Sequence, residues 1–118
     1  MALTREFRGT VQARVQWDEK FRRGLLSDAI EAWLAGESAL GREILREFIN
    51  ATLGFPALAR KTGIHAKTLH QMFGRKGNPT AANLFSIFAC LQEQEGVRLR
   101  VVAQAGHWHH RSRRERYI

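Results

Sequence analysis

The spacing of apolar positions changes period several times along the chain, and each change predicts a new element. Over residues 7–17 the alternation is strict, with Phe7, Gly9, Val11, Ala13, Val15 and Trp17 on one side and Arg8, Thr10, Gln12, Arg14 and Gln16 on the other. A period of two predicts a half-buried strand over 6–17. Asp18 then offers an N-cap, and Phe21, Leu25, Ala29, Ile30, Trp33 and Leu34 recur at helical spacing as far as Gly36, predicting a helix over 18–35. A second helix is predicted over 38–53. Its stripe is Leu40, Ile44, Leu45, Phe48, Ile49 and Leu53, Gly54 stops it, and Arg42, Glu43, Arg46 and Glu47 fall on its outward face as solvated pairs.

Beyond Gly54 the elements shorten. A helix over 56–62 begins with Pro56, a residue suited to a first helical turn, and is broken at Gly63. Another follows over 65–73, then a loop over 74–79, then an apolar helix over 80–92 with Thr80 as its cap. Val97, Leu99 and Val101 alternate with Arg98 and Arg100, predicting a strand over 97–103. Two strands make no stable sheet by themselves, so they are expected to pair with each other or across a dimer, over a helical core. The fold class is therefore mainly α, about five helices with flanking N- and C-terminal β-strands. A single domain spans 1–106, and a basic tail rich in His and Arg occupies 107–118.

Composition narrows the function classes. A chain of 118 residues with 44% hydrophobic content has room for one core. The lone Cys90 excludes an intramolecular disulfide and any zinc site built on two cysteines, and suits a reducing compartment. Every apolar run is interrupted by charge before reaching the length of a membrane span, and no signal peptide is evident, so the expected location is cytoplasmic with no membrane partner. The net charge of +8 is unevenly spread. Residues 24–55 carry −3, whereas 56–80 hold Arg60, Lys61, Lys67, Arg75 and Lys76 with no acid at all, and 107–118 carry +3. A basic block beside an acidic one describes a polarised surface suited to phosphates, although a solvated basic face has the same composition.

Pattern decides between those two readings in the stretch 55–80, FPALARKTGIHAKTLHQMFGRKGNPT. Two short helices meet at Thr62, Gly63 and Ile64. Leu58, Ile64 and Leu69 are the apolar pins, Ala59 is small enough for close approach, and Gly63 permits the backbone conformation of a tight turn. The second helix then presents His65, Ala66, Lys67, His70 and Gln71 outward. A helix of this kind fits the major groove of DNA, where Lys67 can donate to guanine and Gln71 can bond adenine twice.

With LAR at 58–60, TGI at 62–64, the Leu69 pin and GNPT at 77–80, this segment resembles the XRE/Cro-type helix-turn-helix family, and more closely the HigA-like addiction-module antidotes. The resemblance covers about residues 25–102 and is strongest over 54–92. It implies a lambda-repressor-like DNA-binding domain that contacts bases through Ala66, Lys67 and Gln71, with His70 beside them. It implies phosphate contacts from Arg60, Lys61, Arg75, Lys76 and the backbone around Asn78, with His65 and Thr68 completing the backbone-contacting set. His65 stands where the family usually has a Ser or Thr cap, and His70 where the subfamily often has Tyr. The implied function is a homodimeric transcriptional regulator of double-stranded operator DNA, the antitoxin of a type II toxin-antitoxin pair that represses its own operon. The implied partner is a toxin of the RelE/HigB-like nuclease class. Two other readings stay open: a stand-alone regulator without a toxin, and a protein-interaction module in which the acidic segment 24–55 meets a basic partner.

Catalysis finds little support in the sequence. Cys90 lies in an apolar helix where a buried, inert thiol is the simpler account. Glu43 and Glu47 each have an arginine neighbour. The loop 74–79 contains glycine but lacks the spacing of a nucleotide-binding loop. His107, His109 and His110 around Trp108 could ligate a metal, yet no cysteine and no nearby carboxylate other than Glu115 accompanies them, and a solvated tail is the better account. Arg111, Arg113, Arg114 and Arg116 could instead meet phosphate or an acidic partner. Trp33 and Phe48 read as core residues. No catalytic residue, cofactor or metal is expected, and the protein is not read as an enzyme.

Overall fold

The computed structural model describes Gly9, Ala13, Arg14 and residues 18–105. Among these the fold is mainly helical, with α1 (Glu19–Leu34), α2 (Ser38–Ala51), α3 (Phe55–Thr62), α4 (Ala66–Met72) and α5 (Ala81–Glu95), and no strand. The tail 107–118, including its three histidines and four arginines, lies outside the described residues.

Local chemistry sets the helix limits. The Asp18 carboxylate accepts the Phe21 N–H at 2.9 Å and so caps α1. That bond, followed by the Arg14 guanidinium 2.6 Å away, holds the carboxyl below its usual range. Thr80 caps α5 in the same way, its hydroxyl accepting the Asn83 N–H at 3.2 Å. Gly63 ends α3 in the left-handed region at φ +76°, a conformation costly to any residue with a Cβ.

Packing then assembles the elements. α1 and α2 form a hairpin with the most extensive helix–helix contact in the fold. It is close because Gly41 has no side chain: a Cβ there would lie 2.7 Å from ring atoms of Trp33. The Trp33 ring meets Phe88 edge-on, with centroids 5.9 Å apart, and so carries the hairpin onto α5. Arg22 Nε and Glu95 Oε1, 2.8 Å apart and mostly shielded from solvent, join the start of α1 to the end of α5. Leu26, Leu45, Phe48, Ile49, Leu58, Leu69, Ile87 and Leu91 form the centre of the core, with Trp33 half-buried at its edge.

Both expected strands need correction. Of the strand over 6–17, the described positions Gly9, Ala13 and Arg14 are α-helical, and the Asp18 N–H bonds the Arg14 carbonyl at 2.8 Å with helical i to i−4 spacing. Arg14 also lies over the Phe21 ring, 4.4 Å from its centroid. Ala and Arg are strong helix formers, and that preference prevails here over a period-two pattern. The remainder of that strand lies outside the described residues. Residues 97–103 form no strand either, because no strand lies beside them among the described residues. The Gln92 side chain takes the Leu99 N–H at 2.8 Å instead, seating Val97 and Leu99 half-buried against the core. Smaller differences are that α2 ends at Ala51 with Thr52 as its C-cap, so that Gly54 caps the start of α3 rather than stopping α2, that α3 starts one residue early at Phe55, that α5 runs on to Glu95, and that Leu34 stands exposed although it shares the stripe of α1.

Candidate nucleic-acid interface

The site is built on α3, the turn after it, and α4. Thr62 organises the turn twice over: its hydroxyl donates to the Leu58 carbonyl at 2.8 Å and accepts the Ile64 N–H at 3.2 Å. Leu58 and Leu69 are fully buried and Ile64 is half-buried against the core, so the three pins fix the two helices to each other, and α3 packs on α5. Burying large apolar side chains is worth about 1.5–3 kcal/mol each. This anchors α4 although a helix of seven residues is too short to stand alone.

α4 consequently shows a buried and an open side. Leu69 and Met72 point inward, while Lys67, His70 and Gln71 are exposed together, and Ala66 and Thr68 are half-buried. His65 caps the helix, its Nδ1 accepting the Lys67 N–H at 3.2 Å. With Nδ1 as acceptor, the neutral ring carries its proton on Nε2, which leaves an outward donor. The His70 ring rests against Phe55 with centroids 5.2 Å apart, which restrains its direction although it remains exposed.

The basic residues flank that open side. Arg60 and Lys61 are exposed on the last turn of α3, and Arg75, Lys76 and Asn78 are exposed in the loop after α4. The segment 56–80 that carries this set supplies five cations and no acid, while Glu93 of α5 lines the same groove as Lys61. Arg60 and Lys61 precede α4 in the chain, and Arg75 and Lys76 follow it.

Two residues that position this surface were not legible as such. Arg42 and Arg46 on α2 were expected to form solvated pairs with Glu43 and Glu47, and that expectation is corrected. Arg42 Nη1 donates to the Gly77 carbonyl at 2.7 Å and Nη2 to the Arg75 carbonyl at 3.2 Å, while Arg46 makes a longer bond to the Phe73 carbonyl at 3.4 Å. Glu47 is buried, 3.8 Å from Arg46 Nε. The loop is further constrained at Gly77, where a Cβ would overlap the Gln71 carbonyl oxygen and lie 2.6 Å from that of Met72. The only local signal in the sequence was the spacing of four between Arg42 and Arg46, which a solvated face shares.

Other chemistry is sparse among the described residues. No group of three His, Cys, Asp or Glu side chains is placed to hold a metal, and no helix is long and apolar enough to cross a membrane. Cys90 is half-buried in a groove of about 550 Å³ between the end of α3 and α5. Burial pushes its thiol above the ordinary value against the pull of the Lys61 charge. No family model, curated protein or solved structure matches the chain.

Proposed function

We propose that the protein is a sequence-specific double-stranded DNA-binding transcriptional regulator of the lambda-repressor-like helix-turn-helix type. The observation that carries this reading is the exposure of Lys67, His70 and Gln71 on α4 within a segment, 56–80, that also supplies exposed Arg60, Lys61, Arg75 and Lys76 and contains no acid. In the proposed complex α4 enters the major groove. Lys67 donates to guanine O6 or N7, Gln71 bonds adenine through N6 and N7, Ala66 meets a thymine methyl and His70 reaches a neighbouring edge. Arg60, Lys61, Arg75 and Lys76 neutralise phosphates, Asn78 and Thr68 bond phosphate oxygens, and His65 donates from Nε2. A homodimer places one reading helix on each of two half-sites about one helical turn apart. The role that fits is an antitoxin that represses its own operon and binds a RelE/HigB-like toxin. A regulator without a toxin would use the same surface.

Fluorescence anisotropy on the DNA upstream of its own gene and on a scrambled duplex, each at about 50 and 200 mM salt, tests the reading. The upstream DNA should stay bound at the higher salt while the scrambled duplex is released. Lys67→Ala should cost about 1–3 kcal/mol and relax the base preference, whereas Arg75→Ala should weaken all DNA alike and flatten the salt slope. Equal, salt-erased binding to both duplexes, untouched by either substitution, would refute it. Co-purification with the product of the adjacent gene separates antitoxin from stand-alone regulator.

A further inference from the structure

Scattered exposed hydrophobics are ordinary, whereas a cluster marks a contact surface. The large apolar side chains that stand open among the described residues are Leu34 (59% exposed), Phe85 (65%), Val101 (72%) and Val102 (69%), and all four line one groove of about 350 Å³. Its walls come from α1, α5 and the extended segment that follows α5, and Ile30, Phe88 and Leu99 form its floor. That extended segment is itself incomplete. The Leu99 N–H is taken by Gln92, but from Arg100 to Ala105 no backbone group has a hydrogen-bond partner among the described residues. A free extended edge beside an apolar groove is a template for another chain.

We infer that this groove seats a second copy of the same chain, the two related by a two-fold axis, with Phe85, Val101 and Val102 of each covering those of the other. Charge selects the occupant. Glu31 and Arg100 both line the groove, and neither has an ion-pair partner among the described residues. A surface carrying both signs can complement a copy of itself, and the two-fold arrangement we infer sets Arg100 of each copy against Glu31 of the other. Position agrees as well: none of Lys67, Gln71, Arg75 or Lys76 lines the groove, so an occupant of the groove does not compete with them for it. The inference gives the proposed dimer its interface, and in that respect it rests on the reading above.

The test is sedimentation equilibrium of the full chain, with circular dichroism as the check on folding. The wild type should be a dimer, and Phe85→Glu or Val101→Glu should raise its dissociation constant at least tenfold while helicity is retained. Glu31→Arg and Arg100→Glu should each weaken self-association alone. Mixed together they should form a heterodimer as tight as the wild type, because both trans pairs are restored, an outcome that pairing within one copy cannot produce. A monomeric wild type, a dimer indifferent to Phe85→Glu and Val101→Glu, or a mixture no tighter than its components would overturn the inference. Failure of the DNA reading looks different: the wild type dimerises through this face yet binds the upstream and scrambled duplexes equally. Lys67→Ala should leave the dimer intact in either case.

Discussion

Two glycines lie inside the first two helices, and replacing each by alanine should change stability by different amounts. Gly24 in α1 is open, with nothing within 4 Å of the place a Cβ would take, whereas a Cβ on Gly41 in α2 would sit 2.7 Å from Trp33 Cδ2 and Cε3 and 3.1 Å from Cζ3. Carbon atoms prefer separations of about 3.5–4.0 Å, so the Gly41→Ala methyl intrudes by roughly 1 Å. The ring is not free to yield, since its edge contact with Phe88 at 5.9 Å ties α1 to α5. Both substitutions gain the same helix preference, about 0.5–1 kcal/mol, partly by restricting the unfolded chain. That common gain cancels in the difference between the two variants. What remains is the overpacking at Trp33, which costs about 1–3 kcal/mol. Urea unfolding reads it directly: with a slope of about 1–3 kcal/mol per molar, the two midpoints should differ by on the order of 1 M, Gly24→Ala lying above the wild type and Gly41→Ala below Gly24→Ala. If both variants are stabilised equally, the close approach of α1 and α2 at Gly41 is wrong.

The loop after α4 supplies two further tests. Arg42→Ala removes two charge-assisted bonds to loop carbonyls and should cost about 1–2 kcal/mol in urea unfolding, allowing for partial exposure, with amide shifts concentrated in 73–79; an unchanged midpoint would show that Arg42 does not hold the loop. Gly77→Ala must push the loop off the Gln71 and Met72 carbonyls, at a cost of about 1–3 kcal/mol, and amide spectra should show the loop displaced with α1 undisturbed. Asp18 gives a pH test. Its carboxyl is held below the ordinary value by the Phe21 N–H and Arg14, so its contribution is complete above the unfolded value and disappears as pH falls through the depressed one. Asp18→Ala should therefore be less stable than the wild type at neutral pH, and the two should converge in strong acid; a gap that persists there would mean the cap acts through something other than its charge.

The sequence by itself determined where the five helices between Glu19 and Glu95 lie and which short pair carries the basic segment. Caps at Asp18 and Thr80, the stop at Gly63, and the apolar pins Leu58 and Leu69 act within a few residues of where they stand, so local spacing reveals them. The exposed positions of Lys67, His70 and Gln71 follow from the same periodicity, because fixing Leu69 and Met72 inward turns those three out. Tertiary structure decided the rest. Arg42 reaches carbonyls 35 and 33 residues along the chain, and Arg46 reaches one 27 residues along, so no local window separates these arginines from solvated ones. Glu47 shares their helix and is buried, and Gly41 differs from Gly24 only in what lies opposite. Of the alternation over 97–103, Val97 and Leu99 meet the core while Val101 stands exposed; whether it becomes a strand depends on a neighbouring backbone, and none pairs with it among the described residues. A pattern in sequence states which face is apolar, whereas the partner of that face is set by elements distant in the chain, and only folding brings them together.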